Sequence, residues 1–555
     1  SAKLFCDRDA FLIKSRNGDY RGITYSRFKN DIDVLGTALL GLGLKNEYIA
    51  VIGENRYEWC TAYLSIVNGA GVVVPLDKEL PACEIENLLT RCKASAVIFS
   101  GRLADVFHEI KERLTSVRYY INMDAEADRD GYLSYQGLME KGRELVDKGD
   151  RSFVDAEIDR DGMSILLFTS GTTDMAKGVM LSHKNICSNI ISVRSTVYID
   201  GKDRTLSILP LHHTYECTIG FLTMIYSGGT LSFCEGLKHI ARNLKEVKPT
   251  VIVSVPLMIE NMYRKIWEQA EKKKGTRAKL KTALFISGLL YRFTRIDIRK
   301  KLFGKIHESL GGRIRLIVSG AAALDPGVCK GFRDIGITVL QGYGLTECSP
   351  LVVGNRDDVV VDASIGLPIP GVEARIDSAD DNGIGEIVVR GNNVMLGYYK
   401  NEDATAKCMK DGWFHTGDLG YIDKNGFFYI TGRSKNVIVT KNGKKIFPEE
   451  VESCINKSPF VLESLVWGNY DKASGETRVD AQIFPDIEAI KDKLRAISIT
   501  GDDIRKVLDD VVRSVNKNMP LYKRVRKFSV RDTEFVKTTT RKIKRYMENT
   551  KEEQI

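Results

Sequence analysis

Between residues 48 and 100 the chain alternates short β-branched runs with helix-like stretches, and no other feature of the sequence constrains the fold as much. Tyr48-Ile49-Ala50-Val51-Ile52-Gly53 and Gly71-Val72-Val73-Val74-Pro75 read as strands, and the segment from Tyr57 to Asn68 between them reads as a helix. Ala96-Val97-Ile98-Phe99-Ser100 follows another helical stretch. A strand-helix-strand rhythm lays successive strands side by side in one direction, so it predicts parallel sheet. The rhythm returns at Val251-Ile252-Val253-Ser254-Val255-Pro256 and at Ile314-Arg315-Leu316-Ile317-Val318-Ser319-Gly320. After about residue 360 the strands shorten and Gly and Asn turns separate them, as around Gly385-Glu386-Ile387-Val388-Val389-Arg390-Gly391, which predicts an antiparallel, barrel-like subdomain. With 555 residues, 43% of them hydrophobic, the chain has material for two or three folding units.

One segment points to chemistry. Ile165-Leu166-Leu167-Phe168 reads as a buried strand that breaks into Thr169-Ser170-Gly171-Thr172-Thr173-Asp174-Met175-Ala176-Lys177-Gly178. Glycine permits close backbone approach, hydroxyls and N–H groups can face an oxyanion, and Lys177 adds a point charge, so the segment reads as a phosphate grip. The alternative is a polar hairpin turn, which needs fewer hydroxyls than are present. A Walker A loop is excluded, because that motif places Gly before Lys and Ser or Thr after it, whereas Ala176 precedes Lys177 and Gly178 follows.

Charge is concentrated. Residues 513–545 hold twelve Lys and Arg against two Asp and Glu, in a chain of formal net charge +9. Nucleic acid is disfavoured, since only Tyr522, Phe528 and Phe535 are available there for stacking, and a polyanionic small molecule such as ATP or coenzyme A fits better. A second basic stretch, residues 264–305, surrounds the apolar run from Ala283 to Leu290; it reads as a solvated helical excursion, with an anionic membrane surface as the alternative. No apolar run is long enough to span a bilayer and no leader-like segment opens the chain, so a cytoplasmic protein, peripheral at most, is expected. The first residues are Ser1-Ala2, with no Met, which leaves a missing N-terminal piece open. Eleven cysteines without metal-ligand spacing fit a reducing compartment.

The segment 169–178 resembles the phosphate loop of the adenylate-forming superfamily, usually written T-S-G-T-T-G-x-P-K-G, with Asp174 and Ala176 in place of Gly and Pro. Further blocks carry the same resemblance. Gln341-Gly342-Tyr343-Gly344-Leu345-Thr346-Glu347 is similar to Y-G-x-T-E; the resemblance implies a purine face on Tyr343, a hydroxyl for the α-phosphate on Thr346, and magnesium on Glu347. Trp413-Phe414-His415-Thr416-Gly417-Asp418 and Gly432-Arg433-Ser434-Lys435 resemble the W-F-x-T-G-D block and the G-R-x-K hinge, with Asp418 for the ribose hydroxyls and Arg433 for ribose or phosphate oxygens. Leu209-Pro210-Leu211-His212-His213 resembles the block that borders the acyl carboxylate, with His213 as the positioning residue. Lys537-Thr538-Thr539-Thr540-Arg541-Lys542-Ile543-Lys544-Arg545 resembles K-T-x-x-G-K-I-x-R, which places the adenylation lysine at Lys542.

The segments Gly53 to Trp59, Val74 to Asp77 and Leu310 to Leu324, the last containing Gly320 and Ala321, bring the sequence nearest to the fatty acyl-CoA synthetases of that superfamily. The resemblance implies an α/β large domain over residues 1–432, made of parallel α/β subdomains and a barrel-like subdomain. It also implies a hinge at 433–435 on Lys435 and a mobile small α+β domain over 436–555. The implied reaction joins a fatty or other carboxylic acid to coenzyme A through an acyl-adenylate, using ATP and Mg2+. In it Thr169, Ser170, Gly171, Thr172, Thr173 and Lys177 hold the β and γ phosphates, and Gly320, Ala321, Gln341, Gly342 and Tyr343 border the nucleotide. Gly443 leaves room for pantetheine. A carrier-protein or aryl-acid ligase on the same fold and a non-catalytic nucleotide-binding module remain alternatives, and the acyl group and oligomeric state stay open.

Overall fold

The computed structural model describes residues 1–548 except 16, 170–175, 272–275, 295–296, 441–443, 472–475, 538–542 and 546–547. The described residues form two compact units: residues 1–374 together with Val389–Phe414, and Arg375–Val388 together with the chain from His415 onward.

The first unit is built on two large sheets. The alternation of residues 48–100 lies at the centre of one, where Glu47–Ile52 pairs in parallel with Gly71–Leu76 on one side and Ala96–Phe99 on the other. Every residue of Ala96–Phe99 is buried, as are Val51 and Ile52. Burial on both faces explains why these strands are continuous apolar runs without alternation. The helix Ala82–Cys92 turns Ile85, Leu88, Leu89 and Cys92 inward, the i, i+3, i+4, i+7 spacing of an amphipathic helix, and packs them with Val97 and Phe99.

The second sheet has nine strands in the order 367–368, 351–354, 338–344, 316–319, 251–254, 204–207, 230–233, 9–14 and 20–24. It is parallel from Thr338–Gly344 through Asp9–Lys14 and antiparallel at both ends. The segments 209–213, 320–324 and 345–347 therefore all leave the carboxyl ends of parallel strands, the edge where open α/β sheets bind ligands. The basic stretch folds as helices, Pro256–Glu271, Thr276–Thr294 and Arg299–Leu302.

The second unit contains the antiparallel pair Trp413–Ile422 and Phe428–Arg433, with Tyr421 stacked on Tyr429 at 4.8 Å. Beyond it, Val461–Asp471, Glu476–Pro485 and Val525–Val530 form a three-stranded sheet. The helix Gly501–Lys517 is started by a reciprocal Thr500–Asp503 capping box and buries Val507, Leu508, Val511 and Val512 against that sheet's core. The expected α/β large part and small α+β part are both present.

Candidate active site

The strand Met163–Thr169 pairs antiparallel with Lys177–Ser182, and the pairing of Phe168 with Gly178 and of Thr169 with Lys177 closes the base of the phosphate-loop candidate. Ser170, Gly171, Thr172, Thr173 and Asp174 lie outside the described residues. The second strand passes directly into the helix His183–Thr196, which starts with a reciprocal Ser182–Asn185 capping box. Asn185 also donates to the carbonyls of Asn392 and Val394, and Asn189 to that of Leu351.

Those bonds bring together three groups far apart in the chain. Gly397–Tyr398 adds to the sheet beside Lys177–Ser182, with Tyr398 opposite Val179. The Lys177 Nζ lies 4.7 Å from the centre of the Tyr398 ring. The Tyr398 hydroxyl donates to Glu347 Oε1 at 2.9 Å. Burial first, and then the Glu347 charge, pushes the Tyr398 phenol well above its ordinary range, so it remains a donor at neutral pH. Glu347 sits in the short turn Thr346–Cys348, half-buried, with its backbone carbonyl accepting from the Met395 N–H at 2.8 Å. Its carboxylate thus has one oxygen bonded to a phenol. Among the described residues no cluster of three metal-ligating side chains occurs. That donor set fits a magnesium ion that takes one protein carboxylate and completes its shell with phosphate oxygens and water.

Backbone geometry explains the neighbouring glycines. Tyr215 donates its hydroxyl to the carbonyls of Ser254 and Val318, and a Cβ on Gly320 would lie 2.8 Å from its ring. A Cβ on Gly344 would lie 1.9 Å from the carbonyl oxygen of Pro350. Both positions exclude a side chain. Ala321, half-buried, takes the left-handed conformation, φ +75°. Tyr343 is buried, and Gln341 is turned inward, where its amide accepts from the Leu324 N–H at 2.9 Å and donates to the Asp362 carbonyl.

His213 precedes the π-helical turn Tyr215–Leu222, its ring 4.1 Å from that of His212. Burial, helped by the Lys78 charge, lowers the His212 pKa to about 3, so this imidazole is neutral; its Nε2 has no hydrogen-bond partner among the described residues and lies 3.9 Å from Asp77 Oδ2. A small cavity beside it is lined by Tyr63, Leu167, Ile186, His212, Cys217 and Thr218. Asn55 holds this segment in place, accepting from the Leu211 N–H and donating to the Leu209 carbonyl and to Ser207. Ser207 in turn donates to Glu216 at 2.6 Å. Burial pushes the Glu216 carboxyl up to about 8, against the pull of that hydroxyl.

In the second unit the ladder sets Asp418 opposite Arg433, and the guanidinium Nε lies 2.9 Å from Asp418 Oδ1. Asp418 is buried while Arg433 is half-exposed. Gly417, at φ +72°, donates its N–H to Glu386, which also holds His415 Nδ1 at 2.8 Å. Lys435 is exposed in the turn Ser434–Asn436. Gly443 and Lys542 lie outside the described residues. Tyr398, Asn55 and Glu216 escaped the sequence reading. The aromatic pair Tyr398-Tyr399 after a glycine is the one local signal that could have drawn attention to the first of them.

Residues 1–399 match the AMP-binding enzyme family, and residues 435–551 match the C-terminal domain of the AMP-binding enzymes. The chain belongs to the AMP-binding enzyme family. Two AMP-binding relatives have names that agree with the ligase reading. The long-chain-fatty-acid–CoA ligase FadD15 of Mycobacterium bovis is 29% identical over 97% of this chain and 92% of its own length. Long-chain-fatty-acid–CoA ligase 5 of Rattus norvegicus is 30% identical over 87% of this chain and 74% of its own. Among solved structures, the anthranilate CoA ligase AuaEII in complex with anthranoyl-AMP superposes with a TM-score of 0.77 at 22% identity, covering 99% of this chain and 95% of that one. The O-succinylbenzoate coenzyme A synthetase of Bacillus subtilis, in complex with ATP and magnesium ion, gives 0.72 at 22% identity, covering 98% and 97%. These likenesses show the AMP-binding fold over nearly the whole chain.

Proposed function

We propose that this chain is an ATP-dependent, AMP-forming ligase that joins a long-chain fatty acid to coenzyme A. The observation that carries the reading is the Lys177–Tyr398–Glu347 arrangement at the base of the phosphate-loop candidate, in a chain whose near-full-length relatives are named long-chain-fatty-acid–CoA ligases. Lys177 with Thr169, Ser170, Gly171, Thr172 and Thr173 steadies the outer phosphates, Thr346 meets the α-phosphate, and Glu347 holds magnesium, which when bound neutralises phosphate charge. Tyr398 fixes the Glu347 carboxylate. Tyr343 with Gly342 borders the purine, Gly320 and Ala321 line the nucleotide cleft, and Gln341 acts through the strand it anchors. Asp418 accepts both ribose hydroxyls, with Arg433 beside it.

The chemistry then needs no enzyme nucleophile. A carboxylate oxygen of the acid bonds to the α-phosphorus as the bond from that phosphorus to the β-bridging oxygen breaks, and pyrophosphate leaves. The thiol sulfur of coenzyme A next bonds to the acyl carbon, the bond to AMP breaks, and the thiol proton passes to solvent. His213 positions the acid carboxylate, which is already ionised at neutral pH. Lys542 stabilises charge developing in the first step. Residues 433–435 act as the hinge between a large domain, 1–432, and a small one, 436–555, with Gly443 bordering the pantetheine path.

Carboxylate-dependent exchange of pyrophosphate into ATP, run across saturated acids of increasing length and benzoate, tests the reading. Exchange with the fatty acids, followed by thioester formation on adding coenzyme A, is expected. No exchange with any acid overturns it, and exchange with thioester formed only on a carrier protein overturns the choice of acceptor.

A further inference from the structure

The helix Thr276–Thr294 has two faces, and the fold uses only one. Leu280, Ala283 and Leu284 pack against the core cluster that contains Ile259 and Phe332, and Ser287 is fully buried on the same side. On the opposite arc Phe285 is 72% exposed, Phe293 75% and Ile286 53%. At 100° per residue these three, with exposed Ala278, Lys279 and Thr282, fall within one third of the helix circumference. Scattered exposed apolar side chains need no explanation, but two phenylalanines and an isoleucine on one helical arc form a patch.

The surrounding charge says what kind of surface would cover it. Residues 264–305 hold fourteen Lys and Arg against three Asp and Glu, more net positive charge than the whole chain carries. Lys265, Lys279, Lys300, Lys301 and Lys305 are exposed, and among the described residues none has a carboxylate partner. Leu302, between these lysines in sequence, is 46% exposed. Among the described residues no helix is long and apolar enough to cross a membrane. Apolar side chains on a helix flanked by free lysines match an interface in which the rings enter the acyl boundary while the ammonium groups meet anionic headgroups. A nucleic-acid duplex offers phosphates for the lysines but no apolar compartment for Phe285, Ile286 and Phe293, so the lipid surface accounts for both halves of the pattern.

We propose that the helix Thr276–Thr294 and the lysines around it dock this protein on the surface of an anionic lipid bilayer. The docking goes beyond the ligase reading and does not depend on it.

Co-sedimentation of the full chain tests the proposal, using vesicles of phosphatidylcholine alone or with about 30 mol% phosphatidylglycerol. Binding to the anionic vesicles is expected to fall roughly tenfold in Phe285→Ser/Phe293→Ser. It is also expected to weaken as ionic strength rises from about 0.05 to 0.5 M and in Lys300→Glu/Lys301→Glu. Thermal unfolding unchanged in both variants confirms that they fold. Equal sedimentation of wild type and the phenylalanine variant overturns the proposal. So does tighter binding to a duplex DNA probe that neither phenylalanine affects, which would make the segment a polyanion-binding face. Vesicle binding is read without substrate, so failure of the exchange assay and failure of docking are separate results.

Discussion

Residues 264–305 carry fourteen Lys and Arg against three acids, and residues 513–545 carry twelve against two, yet the fold pairs their cations to different extents. In the first, Lys265, Lys279, Lys300, Lys301 and Lys305 face solvent without carboxylate partners among the described residues. In the second, Lys517, Arg526 and Lys527 are exposed in the same way, but other cations are held by carboxylates. Arg545 meets Glu452 at 2.6 Å, Arg531 meets the fully buried Glu548 at 2.6 Å, Lys523 meets Glu450 at 2.7 Å, and Lys537 pairs with Glu463. Lys537 also bridges to Ile543, and the Lys544 N–H donates to the Val536 carbonyl. Basic composition alone therefore does not separate charge left free at the surface from charge that the fold pairs with its own carboxylates. The tail reads from composition as a polyanion binder, but much of its charge holds the tail in place.

Substitutions in the two segments and at sites outside them test these assignments. Lys542→Ala removes the one tail cation assigned to chemistry, and acyl-adenylate formation should fall by about 10²–10³-fold or more. Thioester formation from supplied acyl-adenylate should be largely kept; loss of both steps in a folded variant contradicts the division of labour. Glu452→Ala removes the shortest carboxylate contact of Arg545, leaving Glu449 at 3.7 Å and the Val466 carbonyl, and should destabilise the second unit by about 1.5–3 kcal/mol. Lys300→Ala, in the exposed segment, should stay within about 0.5 kcal/mol. Urea unfolding followed by tryptophan fluorescence compares the two, and equal effects would erase the contrast.

Glu216 shows what a buried carboxyl does without a cation, since among the described residues it meets only the Ser207 hydroxyl and one of its oxygens has no partner. Its folded pKa, about 8, lies above the ordinary 4.5, so the native state keeps a proton that the unfolded chain has lost. That contribution is fully present below about pH 4.5 and is lost as pH rises to about 8, by up to about 1.4 kcal/mol per unit. Glu216→Gln should remove this slope, so the variant gains on the wild type across that window in unfolding measured against pH. A slope retained in the variant assigns it to other groups. The smallest effect concerns Asp174, an acid within the phosphate-loop resemblance. Asp174→Gly should lower the ATP KM a few-fold if the carboxylate opposes the triphosphate, and an unchanged or raised KM means that it points elsewhere.

The parts of the site legible in the sequence are those whose chemistry is written in adjacent residues. Thr169 through Lys177, Thr346-Glu347, Gly417-Asp418 and Gly432-Arg433 each combine a backbone turn with a charged or hydroxyl group inside a few positions. The parallel sheets are legible for a related reason, since strands buried on both faces must be uninterrupted apolar runs. The pairing of Asp418 with Arg433 follows from the register of two neighbouring strands. Tyr398 is different, because it meets Glu347 from 51 residues away, and Asn55 meets Leu211 from 156. The residues beside that asparagine and that tyrosine do not reveal which distant group each one meets.

By itself, then, the sequence determined the α/β class, the two-part organisation and the blocks of the AMP-binding family, because periodicity and turn chemistry act over a few residues. Tertiary structure alone decided which carboxylate receives which hydroxyl or guanidinium, and so which cations of two similarly basic segments are paired and which stay exposed. Those pairings depend on strand register and helix packing between distant stretches of chain, and no short window of residues encodes them.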